Sequence, residues 1–211
     1  MTETKPAEIT LLPQQRQAWV DMVTEVSAEL GMATPPVVEF DCTTSMRGAM
    51  RYHHQHDTVT VFGGWVAAEP DPQSLASKSL AAHELGHRLD RDRLSRRRRV
   101  LLAGYVVLCG AAAAAAVPAL AESWANPGRF GPMMPTWVAW VPTVLILVAA
   151  SWMAAIRWPD ENRADAVAAS LYGPAGVHAF LDVFAEHSGR SASWISPTHP
   201  SHRMRRARHP Q

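Results

Sequence analysis

Apolar positions along this chain change period several times, and each change predicts an element. Between Gln14 and Leu30, Trp19, Met22, Val23, Val26 and Leu30 recur at helical spacing, and Gly31 ends the run. Pro35-Pro36 leads into an extended Val37-Val38-Glu39-Phe40. Thr58 to Phe62 (TVTVF) is β-branched and closed by Gly63-Gly64, so a small sheet is predicted. Asp71-Pro72 reads as an N-cap followed by proline at the first helical position, opening a helix that runs through Ala82 and His87 towards a group of arginines. A further helix starts after Pro159, capped by Asp160, and reaches Tyr172 before Gly173-Pro174; another covers Ala175 to His187.

The middle of the chain has a different pattern. Between Arg99 and Arg157 the only Asp, Glu, Lys or Arg residues are Glu122 and Arg129, leaving apolar runs at 100–120 and 136–156. About 20 helical residues cross a hydrocarbon core of about 30 Å, so both runs are long enough to span. The rival reading is a pair of buried helices in a soluble core. Pro118 and Pro142 weigh against it, because proline is tolerated better in membrane helices than in soluble ones. Trp124, Trp137 and Trp140 cluster towards one edge of the hairpin, and Trp152 and Trp158 towards the other, as an interfacial belt requires. Arg88, Arg91, Arg93 and Arg96 to Arg99 precede the first span, and Arg157 and Arg163 follow the second. By the positive-inside rule both termini are cytoplasmic. Beside a span, the polybasic stretch reads as a topology and lipid-headgroup signal. Residues 1–30 lack the apolar core and cleavage site of a secretory signal.

The organisation expected is therefore a flexible tail at 1–12 and a cytoplasmic domain built from 13–99 and 157–190. Transmembrane helices at 100–120 and 136–156 flank an external loop at 121–135, and 191–211 form a basic C-terminal loop or tail. The fold class expected is α+β, a mainly helical domain with a small sheet, interrupted by a transmembrane hairpin, in a multi-pass protein of the cell (inner or plasma) membrane.

Composition narrows the function classes. Of 211 residues, 47% are hydrophobic and 18% charged, which excludes a largely disordered chain. Lys+Arg number 20 against 19 Asp+Glu, a net charge of +1, so no nucleic-acid partner is expected. Cys42 and Cys109 build neither a disulfide scaffold nor a zinc knuckle and are expected to stay reduced.

The strongest local signal is His83-Glu84-Leu85-Gly86-His87 on a predicted helix. Residues i and i+4 share a helical face, so both imidazoles can reach one Zn²⁺, with Glu84 at the edge of that face towards a water on the metal. Zinc acidifies that water and the carboxylate can take its proton. A catalytic zinc needs a third protein ligand. Glu161 and Asp165, also i and i+4, supply candidates: Glu161 to ligate, Asp165 to accept a hydrogen bond from a ligating imidazole. Alone, that pair reads more readily as an exposed acidic first turn favoured by the helix dipole than as ligands. A hairpin that returns the chain to the face it left brings the pair back towards the histidines.

In order, AAHELGH (Ala81 to His87), a transmembrane hairpin, E-x-x-A-D (Glu161 to Asp165) and Thr198-His199-Pro200-Ser201 with Arg205 resemble the heat-shock-protein-X-like membrane zinc metallopeptidases, a family that also contains the endopeptidases trimming prenylated CAAX proteins. The resemblance implies a gluzincin-type site with one zinc per chain. His83, His87 and Glu161 would be the ligands, Glu84 the general base and Asp165 the residue behind the ligands. His199 and Arg205 would lie near the substrate, where either can stabilise an oxyanion. As a rival, Arg205 belongs to a basic tail with Arg203, Arg206 and Arg208. Family members usually carry further spans before the motif, and residues 1–82 hold none.

The activity expected is hydrolysis of peptide bonds in membrane-associated or misfolded proteins, with protein or peptide substrate and the lipid bilayer as partners. The alternative is a non-catalytic, zinc-stabilised membrane scaffold. His53, His54 and His56 read as an exposed turn rather than a second metal site. Thr58–Phe62, as an edge strand, would offer main-chain hydrogen bonds to substrate. Ala111–Ala116 with Gly104 and Gly110 permit close helix contact within the hairpin or in a homo-oligomer, and Cys109 is a small packing residue.

Overall fold

Helix α1 (Pro13–Glu29) opens with proline at N1, where its missing N–H is no loss, and buries Trp19, Met22, Val23 and Val26. The computed structural model describes residues 9–43, 49–90, 96, 99–107, 109–110, 134–187 and 199–210. Strands β1 (Val37–Asp41), β2 (Met50–His53) and β3 (Thr58–Phe62) form a mixed sheet of order β1-β3-β2. β3 runs parallel to β1, with Val37 opposite Thr58, and antiparallel to β2, with Tyr52 opposite Val59. Its Val59 and Val61 are buried in the core that the sheet shares with the helices. β3 is therefore the central strand, and the expectation that it is the edge open to substrate is corrected: the strand on that edge is β2, which the sequence reading did not anticipate.

Helix α2 (Gly63–Ala68) follows β3 directly. Gly63 does more than end a strand, because a Cβ there would stand 2.9 Å from the Thr43 carbonyl oxygen. Helix α3 (Leu75–Leu89) is capped by Ser74, whose Oγ accepts from the Ser77 N–H at 3.1 Å. The cap expected at Asp71 is instead a turn: Asp71 Oδ1 accepts from the Gln73 N–H at 2.9 Å. The helix stops at Leu89 with Asp90 as its C-cap, short of the arginine run it was expected to reach.

Helix α4 (Met134–His187) takes in the second apolar run and both helices expected after Pro159. Asp160 lies inside it rather than at its cap. The helical pattern does not break before Pro159, which forgoes one backbone hydrogen bond there. The interruption falls at Gly173 (φ 70°, ψ 175°), a left-handed conformation that glycine adopts without Cβ strain. Helix α5 (His202–Arg208) replaces the loop expected near the C-terminus; Ser201 Oγ caps it by accepting from the Met204 N–H at 3.2 Å.

The chain divides into two compact units. The first joins residues 1–91, 159–196 and 200–211 around a core to which α1, the sheet, α3 and the second part of α4 contribute. The second comprises 92–158 and 197–199. Within it, residues 99–107 are helical, Trp152 donates its indole N–H to the Leu101 carbonyl at 2.9 Å, and a Cβ on Gly104 would stand 3.2 Å from the same indole. Val100, Leu102, Val106 and Val107 are exposed. Residues 111–133, with most of the first expected span and the loop, lie outside the described residues, as do 1–8 and 191–198.

Among the described residues one helical stretch, Arg157–His187, is long and apolar enough to cross a membrane. That stretch buries Ala164, Ala168, Val177, Phe180 and Leu181 in the core of the first unit and carries the buried carboxylates Glu161 and Asp165, so it reads as a core helix. The architecture is mostly helical with a three-stranded sheet, α+β.

Candidate metal centre

Two helices of the first unit meet where both can afford to lack bulk. A Cβ on Gly86 would lie 3.0 Å from Ala164 Cα and 3.2 Å from Val167 Cβ, closer than side chains normally pack. The glycine within the histidine motif thus lets α3 approach the backbone of α4 and sets Glu161 opposite both imidazoles. His83 Nε2 lies 3.6 Å from Glu161 Oε2, and His87 Nε2 lies 3.7 Å from Glu161 Oε1. One donor atom from each of the three residues falls within 4.8 Å of the others. Ligands about 2.1 Å from a tetrahedral zinc stand about 3.4 Å apart, so the donor set fits zinc with only small adjustments and, among the described residues, fills three of its four positions.

Behind His83 the structure fixes a tautomer. His83 Nδ1 is 2.9 Å from Asp165 Oδ1, and Asp165 accepts from Arg205 at both oxygens, from Nε at 2.7 Å and from Nη2. Arg205 Nη2 also lies 3.4 Å from His83 Nδ1. The ionised Asp165 carboxylate can only accept, so Nδ1 donates its proton to it, and Nε2, once it gives up its own proton, is the nitrogen whose lone pair faces Glu161 and His87. His83, Asp165 and Arg205 are all buried, with Asp165 at 0% exposure. Phe180 walls this arrangement, its ring 5.7 Å from that of His83 and 5.2 Å from the Arg205 guanidinium carbon.

The charges follow from these contacts in the metal-free protein. Burial pushes the Asp165 carboxyl up, but Arg205 and His83 outweigh it and hold the group well below the usual carboxylate range. Burial disfavours charge on His83, yet the hydrogen bonds to Asp165 and Glu161 raise it to about 9. His87 is lowered to about 3 by burial and by His83 beside it, with His54 adding to the effect, so it presents a neutral imidazole. Glu84 is raised to about 7 by burial, and its Oε2 accepts from the backbone N–H of Tyr52 at 2.8 Å.

The residues singled out from sequence have separate fates. His83, His87, Glu161, Asp165 and Arg205 come together, with Glu84 on the same helix. Arg205 is a buried partner of Asp165 rather than part of a solvated basic tail. His199 is exposed and falls with the second unit. His54 to Asp57 form the turn between β2 and β3, but of the expected exposed histidine turn only His56 is exposed: His53 ends β2, and the His54 ring packs edge-on against Tyr52 at 5.0 Å. The sequence reading missed Tyr52 and Phe180. Tyr52 sits on a four-residue strand too short to stand out in the pattern, and Phe180 is one apolar residue among many on its helix.

The family model of peptidase family M48 matches residues 14–211. Among curated proteins, and among solved structures, none matches.

Proposed function

Because the chain belongs to peptidase family M48, a family of zinc metallopeptidases, we propose that it is a membrane-embedded zinc metalloendopeptidase with its active site at the cytoplasmic face. The observation that carries this reading is the convergence of His83, His87 and Glu161 donor atoms within 4.8 Å, with Glu84 on the same helix. His83, His87 and Glu161 would hold the ion, one per chain. Zinc at such a site acidifies water to a pKa of about 7 and acts as a Lewis acid towards a carbonyl.

The protein's own groups do the rest. Glu84, with Oε2 engaged by the Tyr52 N–H, takes the proton of the attacking water on its other oxygen and returns it to the departing amine. Asp165 keeps the His83 proton on Nδ1, and Arg205 keeps Asp165 ionised and in place. Substrate main chain would lie along β2, the outer strand beside Glu84.

Membrane attachment through 100–120 and 136–156 is supported by the near absence of charge there and by the exposed Val100, Leu102, Val106 and Val107. An active site tethered at a bilayer surface suits membrane-associated or misfolded protein substrates.

The test is zinc content and caseinolytic activity of detergent-purified protein. Wild type should carry about one zinc per chain and cleave; Glu161→Ala should lose most of the metal, and Glu84→Gln should keep it and lose cleavage. Full activity in Glu84→Gln, or wild type that holds no zinc after reconstitution, would remove the peptidase reading.

A further inference from the structure

Arg88 follows the second histidine of the motif on the last turn of α3, and its side chain is largely buried. Its guanidinium is fully engaged. Nε donates to Asp57 Oδ1 at 2.6 Å, Nη2 to Asp57 Oδ2 at 2.5 Å, and Nη1 to the Thr34 carbonyl at 2.6 Å. A planar fork onto both oxygens of a carboxylate fixes direction as well as distance.

Asp57 ends the turn between β2 and β3 at φ 52°, and it is the one non-glycine with positive φ among the described residues. Glycine would satisfy that backbone more easily, so what aspartate adds is its carboxylate. Besides Arg88, that carboxylate accepts from Tyr52 Oη at 2.7 Å, while the Asp57 carbonyl accepts the Val37 N–H at 3.1 Å where β1 begins. Tyr52 is buried in β2, and its own N–H turns away from β3 to Glu84 Oε2.

The contacts form a closed circuit. It leaves α3 at Arg88, passes through Asp57 and Tyr52, and returns to α3 at Glu84, one turn earlier on the same face. A single anchor would let an outer strand pivot; two anchors four residues apart fix both its distance from the helix and its tilt.

We propose that Arg88, Asp57 and Tyr52 form a clamp that sets strand β2 against α3 and, through the Tyr52 N–H, orients the carboxylate of Glu84. They are positioning residues for the peptide hydrolysis proposed above, and the catalytic part of the inference rests on that reading. The clamp itself is independent of it.

The experiment uses the full chain in detergent, zinc-loaded, with casein as substrate. Arg88→Met, Tyr52→Phe and the double variant are compared with wild type for zinc content, kcat, KM and hydrogen exchange of the β2 amides. Both single variants should keep their zinc and lose about tenfold in kcat, with KM within about twofold. The double variant should be no slower than Arg88→Met, because both substitutions open the same circuit. In Arg88→Met the Tyr52 amide should exchange faster while the amides of α3 stay protected. Unchanged kcat in both single variants, losses that multiply in the double, or an unchanged Tyr52 amide would overturn the clamp. Should Arg88→Met fail to fold, Tyr52→Phe, which removes a single hydroxyl, carries the kcat and exchange tests alone. A wild type that cleaves nothing while the amide responds as expected would remove the hydrolysis and leave the clamp standing.

Discussion

Asp165 lies wholly out of solvent between an imidazole and a guanidinium, so removing either partner strands a buried charge. Arg205→Met leaves the Asp165 carboxylate without its cation and should cost about 3–5 kcal/mol of stability in chemical denaturation. A loss below 1 kcal/mol would show that the carboxylate reaches solvent or another donor. Asp165→Asn keeps an acceptor for His83 Nδ1 but removes the charge; it should weaken zinc binding about 10–100-fold in chelator competition, and equal affinity would deny Asp165 its orienting role. Much of this site was legible in the residues. His83, Glu84 and His87 announce themselves because a helix puts i and i+4 on one face. Glu161 and Asp165 repeat that spacing, and only their meeting with the histidines depended on tertiary structure. Arg205 was half legible, since nothing local distinguishes it from Arg203, Arg206 and Arg208. What separates them is the helix set up by Ser201, whose third residue on, Met204, supplies the capped N–H.

Elements were readable where the period was long and hidden where the partner decides. α1 and the break at Gly173 fall where the pattern puts them, within a residue or so. β3 was read correctly as a strand, but its place at the centre of the sheet depends on β1 and β2, which no feature of TVTVF encodes. β2 was missed because its four residues alternate buried and solvent-facing positions with Arg51 and His53 among them, too short a run to stand out. The helix pair that carries the candidate metal ligands makes a stronger demand than either helix alone. With a Cβ on Gly86 only 3.0 Å from the Ala164 backbone, even Gly86→Ala must push α3 and α4 apart. Gly86→Leu should cost about 1–3 kcal/mol and release zinc, since the shift carries both imidazoles away from Glu161. Wild-type melting and zinc content in that variant would show that the approach of these helices does not set the site.

At the scale of the whole molecule the distribution of charge makes the firmest demand. The protein keeps nearly all its charged groups out of residues 100–156, and Val100, Leu102, Val106 and Val107 are exposed, where water would be a poor neighbour. A hairpin crossing the bilayer accounts for both facts and for the arginines gathered on either side of it. The arrangement fixes what reagents can reach. If the hairpin crosses as proposed, with Cys42 on the cytoplasmic side and Cys109 within the first span, a membrane-impermeant maleimide should label neither native cysteine in intact cells. After permeabilisation Cys42 should react and Cys109 stay protected by lipid. Cysteine placed in the connection between the runs, as in Asn126→Cys, should react without permeabilisation. Labelling of Asn126→Cys only after permeabilisation would place the connection on the cytoplasmic side. Ready reaction of Cys109 in permeabilised but detergent-free membranes would show that the first run is not in the bilayer. The peptidase site would then have to find its substrates without a membrane to hold it.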